Sequence, residues 1–170
     1  MTVFIRRAKA GDEAGIAYVQ VQSWKETYRG IVKDSILDHM DAQEREKGWK
    51  QAIDRQGIVN VLCEEQNGIV GFASGGRNRH LHLPYEGELY TLYLLAAYHG
   101  KGWGKALFLQ TMREIKEEGY SSALVWVLSE NKTRFFYEAL GGEKVAVQYI
   151  DGLAAEETAY GWNDLEWREG

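Results

Sequence analysis

An apolar stretch, Leu89 to Leu95, runs into three glycines at alternate positions, Gly100, Gly102 and Gly104, and a helical pattern opens there. No other segment limits the fold and chemistry of the chain as tightly. Alternating glycine lets successive backbone N–H groups point the same way without Cβ crowding, and a helix N-terminus adds a partial positive charge. Strand, glycine loop and helix in that order cradle a pyrophosphate. Lys101 and Lys105 stand in the same loop and can add full charges. Two nucleotide motifs built on similar logic do not fit. A Walker loop needs Ser or Thr after Gly-Lys, and here Ala106 follows Gly104-Lys105. A dinucleotide fingerprint needs G-x-G-x-x-G in the first βα turn, whereas this loop reads G-x-G-x-G past the middle of the chain.

The remaining patterns supply the elements around that loop. Val3 to Arg7 reads as a first strand. Ala17, Val21, Trp24 and Tyr28 share one face of a helix that opens near Asp12 as its N-cap. Ser35 to about Arg55 reads as a second, highly charged helix closed by Gly57. Ile58 to Glu64 and Ile69 to Ser74 are β-branched runs joined by Gln66-Asn67-Gly68, a hairpin signal. Arg77 to Glu86 is polar and irregular and holds the only proline, Pro84. Beyond the glycine loop, Phe108, Met112 and Ile115 mark a helix ended by Gly119, and Ala123 to Leu128 reads as a strand covered on both faces. Asn131 to Leu140 is a short helix stopped by Gly141-Gly142, and Lys144 to Ile150 with Glu157 to Asn163 form a closing antiparallel pair. This order predicts a mixed α/β sheet. With 170 residues and no repeat or Pro/Ser-rich boundary, a single domain over 1–170 is expected.

Composition serves mainly to exclude. Twenty Lys and Arg against 25 Asp and Glu leave a net charge of −5, which argues against a nucleic-acid partner and favours a cationic one. The longest conspicuous uncharged apolar run, Leu89 to Tyr98, falls well short of the roughly 20 residues of a spanning helix, so no membrane partner is expected. The apolar stretch at the N-terminus is too brief for a signal peptide. Cys63 is the only cysteine, which excludes an intrachain disulfide and suits a cytoplasmic setting. It reads as a small core residue. His80 and His82 have no Asp, Cys or His partner at ligand spacing, so no metal is expected.

The register His99-Gly100-Lys101-Gly102-Trp103-Gly104 resembles the pyrophosphate motif Q/R-x-x-G-x-G/A of the GNAT superfamily of N-acetyltransferases, with His99 where the family usually has Gln or Arg. The stretch from Asn131 through Tyr137 to Gly141 resembles that family's second conserved segment, with Gly142 where Phe is commoner. Trp24-Lys-Glu-Thr-Tyr28-Arg-Gly30-Ile31, followed by Leu37-Asp38, is similar to a phrase of many bacterial members.

The resemblance implies a GNAT-like α/β fold: a central mixed, mostly antiparallel sheet, flanking helices and a splayed fourth strand. It implies acetyl transfer from acetyl-CoA to a primary amine by direct attack, with no covalent enzyme intermediate. On this reading the pantetheine arm pairs with Leu92, Tyr93 and Leu94, and His99, Gly100, Lys101, Gly102, Trp103, Gly104 and Lys105 surround the pyrophosphate. Asn131 and Tyr137 complete the acetyl-CoA site. Tyr137 maps onto the family's tyrosine that protonates the departing thiolate; a core aromatic beside Phe135 and Phe136 is the other reading, and Asn131 also reads as a helix cap. An amine of pKa near 10 arrives protonated, so a base must take its proton. Glu88, at the start of the fourth strand, is the expected base, against a solvated strand-end carboxylate or a water chain. Trp24, Tyr28, Tyr85 and Glu86 suit a small cationic acceptor such as a polyamine, amino acid or aminoglycoside, and a peptide N-terminus also fits. Dimers are common in the family, though no dimer seam can be read. A non-catalytic acyl-CoA-binding regulatory module is the alternative from another class.

Overall fold

The computed structural model describes residues 2–167, and they build seven strands and five helices. In chain order these are β1 (Val3–Arg7), α1 (Glu13–Tyr28), α2 (Asp34–Asp38), α3 (Ala42–Asp54), β2 (Ile58–Glu64), β3 (Gly68–Arg77) and β4 (Gly87–Leu94). Then follow α4 (Trp103–Glu117), β5 (Ala123–Leu128), α5 (Thr133–Ala139), β6 (Glu143–Ile150) and β7 (Ala155–Trp162). One sheet holds all seven strands in the order β1-β2-β3-β4-β5-β7-β6. Every neighbouring pair is antiparallel except β4 and β5, which are parallel because α4 crosses over between them. This is the expected mixed α/β sheet. No helix among the described residues is long and apolar enough to cross a membrane.

The sheet is covered on both faces, and β2 shows how. Its alternate residues Ile58 and Leu62 share a core with Leu107, Phe108, Met112 and Ile115 of α4. Val59, Val61 and Cys63 pack instead with Ile16 and Val19 of α1. All seven β2 residues are consequently buried. Glycine makes one of these contacts close. A Cβ at Gly75, where β3 bulges against β4, would stand 2.7 Å from Ile115 Cδ1, so α4 settles onto bare backbone there.

Three local expectations need correction. The helix expected from Ser35 to Arg55 is two helices, because Asp41 is extended and its carboxylate accepts from Gln43 N at 2.8 Å to start α3 afresh. Gln56, not Gly57, takes the left-handed turn that closes α3, at φ +59°. Asp12 is the N-cap residue of α1 as expected, but its carboxylate makes no capping bond; it is bound instead by Arg6 Nη1 at 2.7 Å and Lys9 N at 2.8 Å.

Candidate active site

The site begins where the sheet comes apart. β4 and β5 pair only through Gly87–Leu89 against Ala123–Val125. Farther on, β4 stays with β3 as far as Leu94 and β5 stays with β7 as far as Leu128, so the two strands diverge. The β4 backbone from Tyr90 onward therefore has no strand neighbour on its β5 side. Such an edge offers hydrogen-bonding groups to an extended ligand. The gap is a cavity of about 380 Å³, lined by β4 from Tyr90 to Leu94, by the glycine loop, and by Asn131, Phe136 and Tyr137 around α5.

At the loop, Gly100 and Gly102 are left-handed, at φ +72° and +85°, and a Cβ on either would meet nothing within 4 Å. Gly102 caps α4, and among the described residues no side chain accepts from the helix's first N–H groups, which leaves those donors for an anion. Gly104 serves differently. Its missing Cβ would touch Leu94 and Phe136 at 3.7–3.8 Å, so glycine here widens the cavity. His99 does have a side-chain role: its Nε2 lies 2.9 Å from the Leu94 carbonyl and ties the loop to the end of β4. Leu92, Tyr93, Leu94, His99, Gly100, Gly102, Gly104, Lys105, Asn131 and Tyr137 all reach the cavity. Lys101 and Trp103 do not: the Lys101 ammonium lies over the Tyr98 ring at 5.9 Å, and Trp103 packs against the main core.

Tyr137 belongs to both the core and the cleft. Its ring meets Phe108, Phe136 and Trp162 at 5.3–6.2 Å between centroids, and only 4% of the residue is exposed. Burial pushes its hydroxyl well above the usual phenol range. Tyr28 and Tyr93 on the same walls are raised for the same reason. Asn131 is both wall and cap, because its Oδ1 accepts from Thr133 N at 3.0 Å.

A second cavity, of about 460 Å³, shares Tyr28, Tyr90, Tyr93, Trp126 and Val127 with the first. Trp24, Arg79, His80, Glu88 and Glu157 complete its chemistry-bearing walls. The Glu88 side chain is only 2% exposed, so it is not a solvated strand-end carboxylate. Nor is it free: Oε1 accepts from Arg79 N at 2.9 Å and Nε at 3.3 Å, and Oε2 accepts from Nη2 at 2.8 Å. The guanidinium itself lies 4.1 Å from the centre of the Tyr90 ring. Tyr85 and Glu86, expected beside the acceptor, lie outside both cavities. Asn78 is buried and binds the Tyr85 carbonyl at 2.8 Å; the Tyr85 ring lies over Gly161, and Glu86 accepts from Ser121. Among the described residues no three His, Cys, Asp or Glu side chains gather as a metal site.

Several wall residues carried no signal in the sequence. Arg79 falls in a connection without periodicity, His80 stands out only as half of a metal pair with His82, and Trp126 is hidden inside an apolar strand. Ser23 of α1, whose hydroxyl approaches the Leu94 carbonyl at 3.4 Å, lies on a helix face that reads as core.

Residues 71–150 match the FR47-like protein family. The uncharacterized N-acetyltransferase YuaI of Bacillus subtilis (strain 168) is 36% identical over 165 residues, covering 96% of this chain and 94% of that protein. The fold is similar to that of the Thermoplasma acidophilum PaiA N-acetyltransferase in complex with coenzyme A, at a TM-score of 0.74 and 21% identity over 95% of this chain and 100% of that one. It is also similar to that of YncA of Salmonella typhimurium, solved with acetyl-CoA, at a TM-score of 0.72 and 20% identity over 100% and 98% of the two chains.

Proposed function

This chain belongs to the GNAT superfamily of N-acetyltransferases, and from that premise we propose that it transfers the acetyl group of acetyl-CoA directly to a primary amine of a small molecule or peptide. The observation that carries this reading is the parting of β4 from β5, which brings an anion cradle, a buried phenol and a second cavity into contact. The pyrophosphate lies against the N–H groups that open α4, where the backbone is bare and uncapped. The pantetheine arm takes the open edge of β4 at Leu92–Leu94, and a backbone N–H near Leu92 stabilises the thioester oxygen as charge grows on it.

The amine enters through the second cavity, beside the rings of Trp24, Tyr28 and Tyr90 and the carboxylates of Glu88 and Glu157. Aromatic faces and acid suit a compact cation. Its ammonium loses a proton at the Glu88 end of that cavity, and the free amine attacks the acetyl carbon. The departing sulfur receives the Tyr137 proton. Burial that keeps this phenol protonated raises the proton affinity of a thiolate in the same cleft as well, so donor and acceptor move together.

A regulatory acyl-CoA-binding module would share the cradle and lack turnover. Free-thiol release from acetyl-CoA, followed across a panel of amines, separates the two. Release well above hydrolysis with at least one amine is expected. Tight coenzyme A binding with no amine-dependent release would support the module instead.

A further inference from the structure

We propose that the imidazole of His80 is the catalytic residue that takes the acceptor's proton, with Glu88 behind it as a positioning counter-charge. This rests on the acetyl-transfer reading above. His80 lies in the connection between β3 and β4, yet its backbone is pinned. The buried Asn78 accepts from His80 N at 2.7 Å through Oδ1 and donates to the His80 carbonyl at 3.1 Å through Nδ2. So held, the ring enters the second cavity. Nε2 stands 3.7 Å from Glu88 Oε2, and the ring centre is 5.2 Å from that of Trp126, whose indole lines both cavities.

Proton-accepting capacity divides unevenly between the two groups. A carboxylate offers about four acceptor positions, and Arg79 fills three of those on Glu88. At 3.7 Å, His80 Nε2 is beyond hydrogen-bond distance from Glu88 and can turn to a ligand. Imidazole is also the side chain that ordinarily changes protonation between about pH 5 and 8, which lets it collect a proton and then release it. The charged and titratable groups around it are Glu88 of β4, Glu157 of β7, Arg79 and the exposed His82 of its own connection, and the phenols Tyr28, Tyr90 and Tyr93.

The proton count closes. Neutral His80 takes one proton from the ammonium, and the freed lone pair forms the C–N bond as the C–S bond breaks. The thiolate takes the Tyr137 proton, and the second proton on the attacking nitrogen returns, directly or through water, to Tyr137. His80 then discharges to solvent. One amide, one coenzyme A thiol and one proton leave per turnover.

The test is kcat/KM for the amine from about pH 5.5 to 10, read as thiol release with the best acceptor among spermidine, an α-amino acid and an alanine-terminated peptide. His80→Gln should lose up to about 10²-fold on the acid side of the amine's own pKa, which is about 8 for a peptide N-terminus and about 10 for an alkyl amine, and the deficit should shrink as pH reaches that value, where the acceptor arrives neutral. KM for acetyl-CoA should stay put, added imidazole should restore part of the activity of His80→Ala, and His82→Gln should follow the wild-type profile. Coenzyme A protection in thermal melts checks that each variant is folded. A folded His80→Gln with wild-type kcat/KM at all pH values, or with a deficit independent of pH, overturns the assignment. So does an acid limb that vanishes in Glu88→Gln and persists in His80→Gln. A wild-type chain whose thiol release no amine raises above hydrolysis would instead sink acetyl transfer itself, and the assignment with it.

Discussion

Tyr137 answers to two neighbourhoods, and they can be separated by one oxygen atom. Tyr137→Phe keeps the ring against Phe108 and Trp162, so stability should move by about 1 kcal/mol or less. kcat should fall by about 10²-fold while acetyl-CoA affinity holds, because the lost hydrogen matters mainly as charge builds on sulfur. The raised phenol also has a pH consequence. A pKa above the ordinary tyrosine value keeps the acid form at higher pH, so kcat should show no basic limb from this group below about pH 10. A Phe variant with wild-type kcat, where chemistry limits the rate, would leave solvent as the proton source. At this scale the sequence was legible in position where backbone lines the cleft or a motif fixes the residue: the glycines, Leu92–Leu94, Asn131 and Tyr137 reach it. It failed where side-chain direction decides. Lys101 and Trp103 sit among cradle residues and turn away, while Tyr85 is drawn off by the space above Gly161.

At the scale of elements, the glycine loop and α4 make a sharper contrast than their spacing alone implies. Gly102 is left-handed and Gly104 is not, so equal substitutions should act differently. Gly102→Val puts a branched side chain at φ +85°, which should cost about 1–3 kcal/mol of stability and raise KM for acetyl-CoA. Gly104→Ala adds only ordinary contacts with Leu94 and Phe136, so it should fold with a wild-type Tm and still raise KM by narrowing the cleft. Thermal melts paired with donor titrations read both; an unchanged KM in each folded variant would take the loop out of the site. The elements themselves were largely legible, since β2, β3 and β5 are unbroken apolar or β-branched runs and α4 carries a helical period. The break between α2 and α3 was not, because Met40-Asp41 interrupts no apolar stripe and only the cap at Asp41 reveals it.

For the whole molecule, the acid side of the stability curve should show the tie between β1 and α1. Arg6 donates to the Asp12 carboxylate and holds its pKa below the ordinary value. A group depressed on folding adds stability above its unfolded pKa, near 3.9, and loses it as pH falls through the folded value. Asp12→Asn should therefore lower the unfolding free energy by about 1.5–3 kcal/mol at neutral pH, and the gap to wild type should close below about pH 4. Urea titrations at both pH values would expose a gap that persists in acid. The diverging strands bear on reaction order as well. The two cavities share a wall of five residues, Tyr28, Tyr90, Tyr93, Trp126 and Val127, yet each has its own lining beyond it. Two reactants can then occupy the protein together, with nothing parked on a side chain in between. Double-reciprocal plots at several fixed amine concentrations should therefore intersect, where a shuttle through an acylated enzyme would draw them parallel.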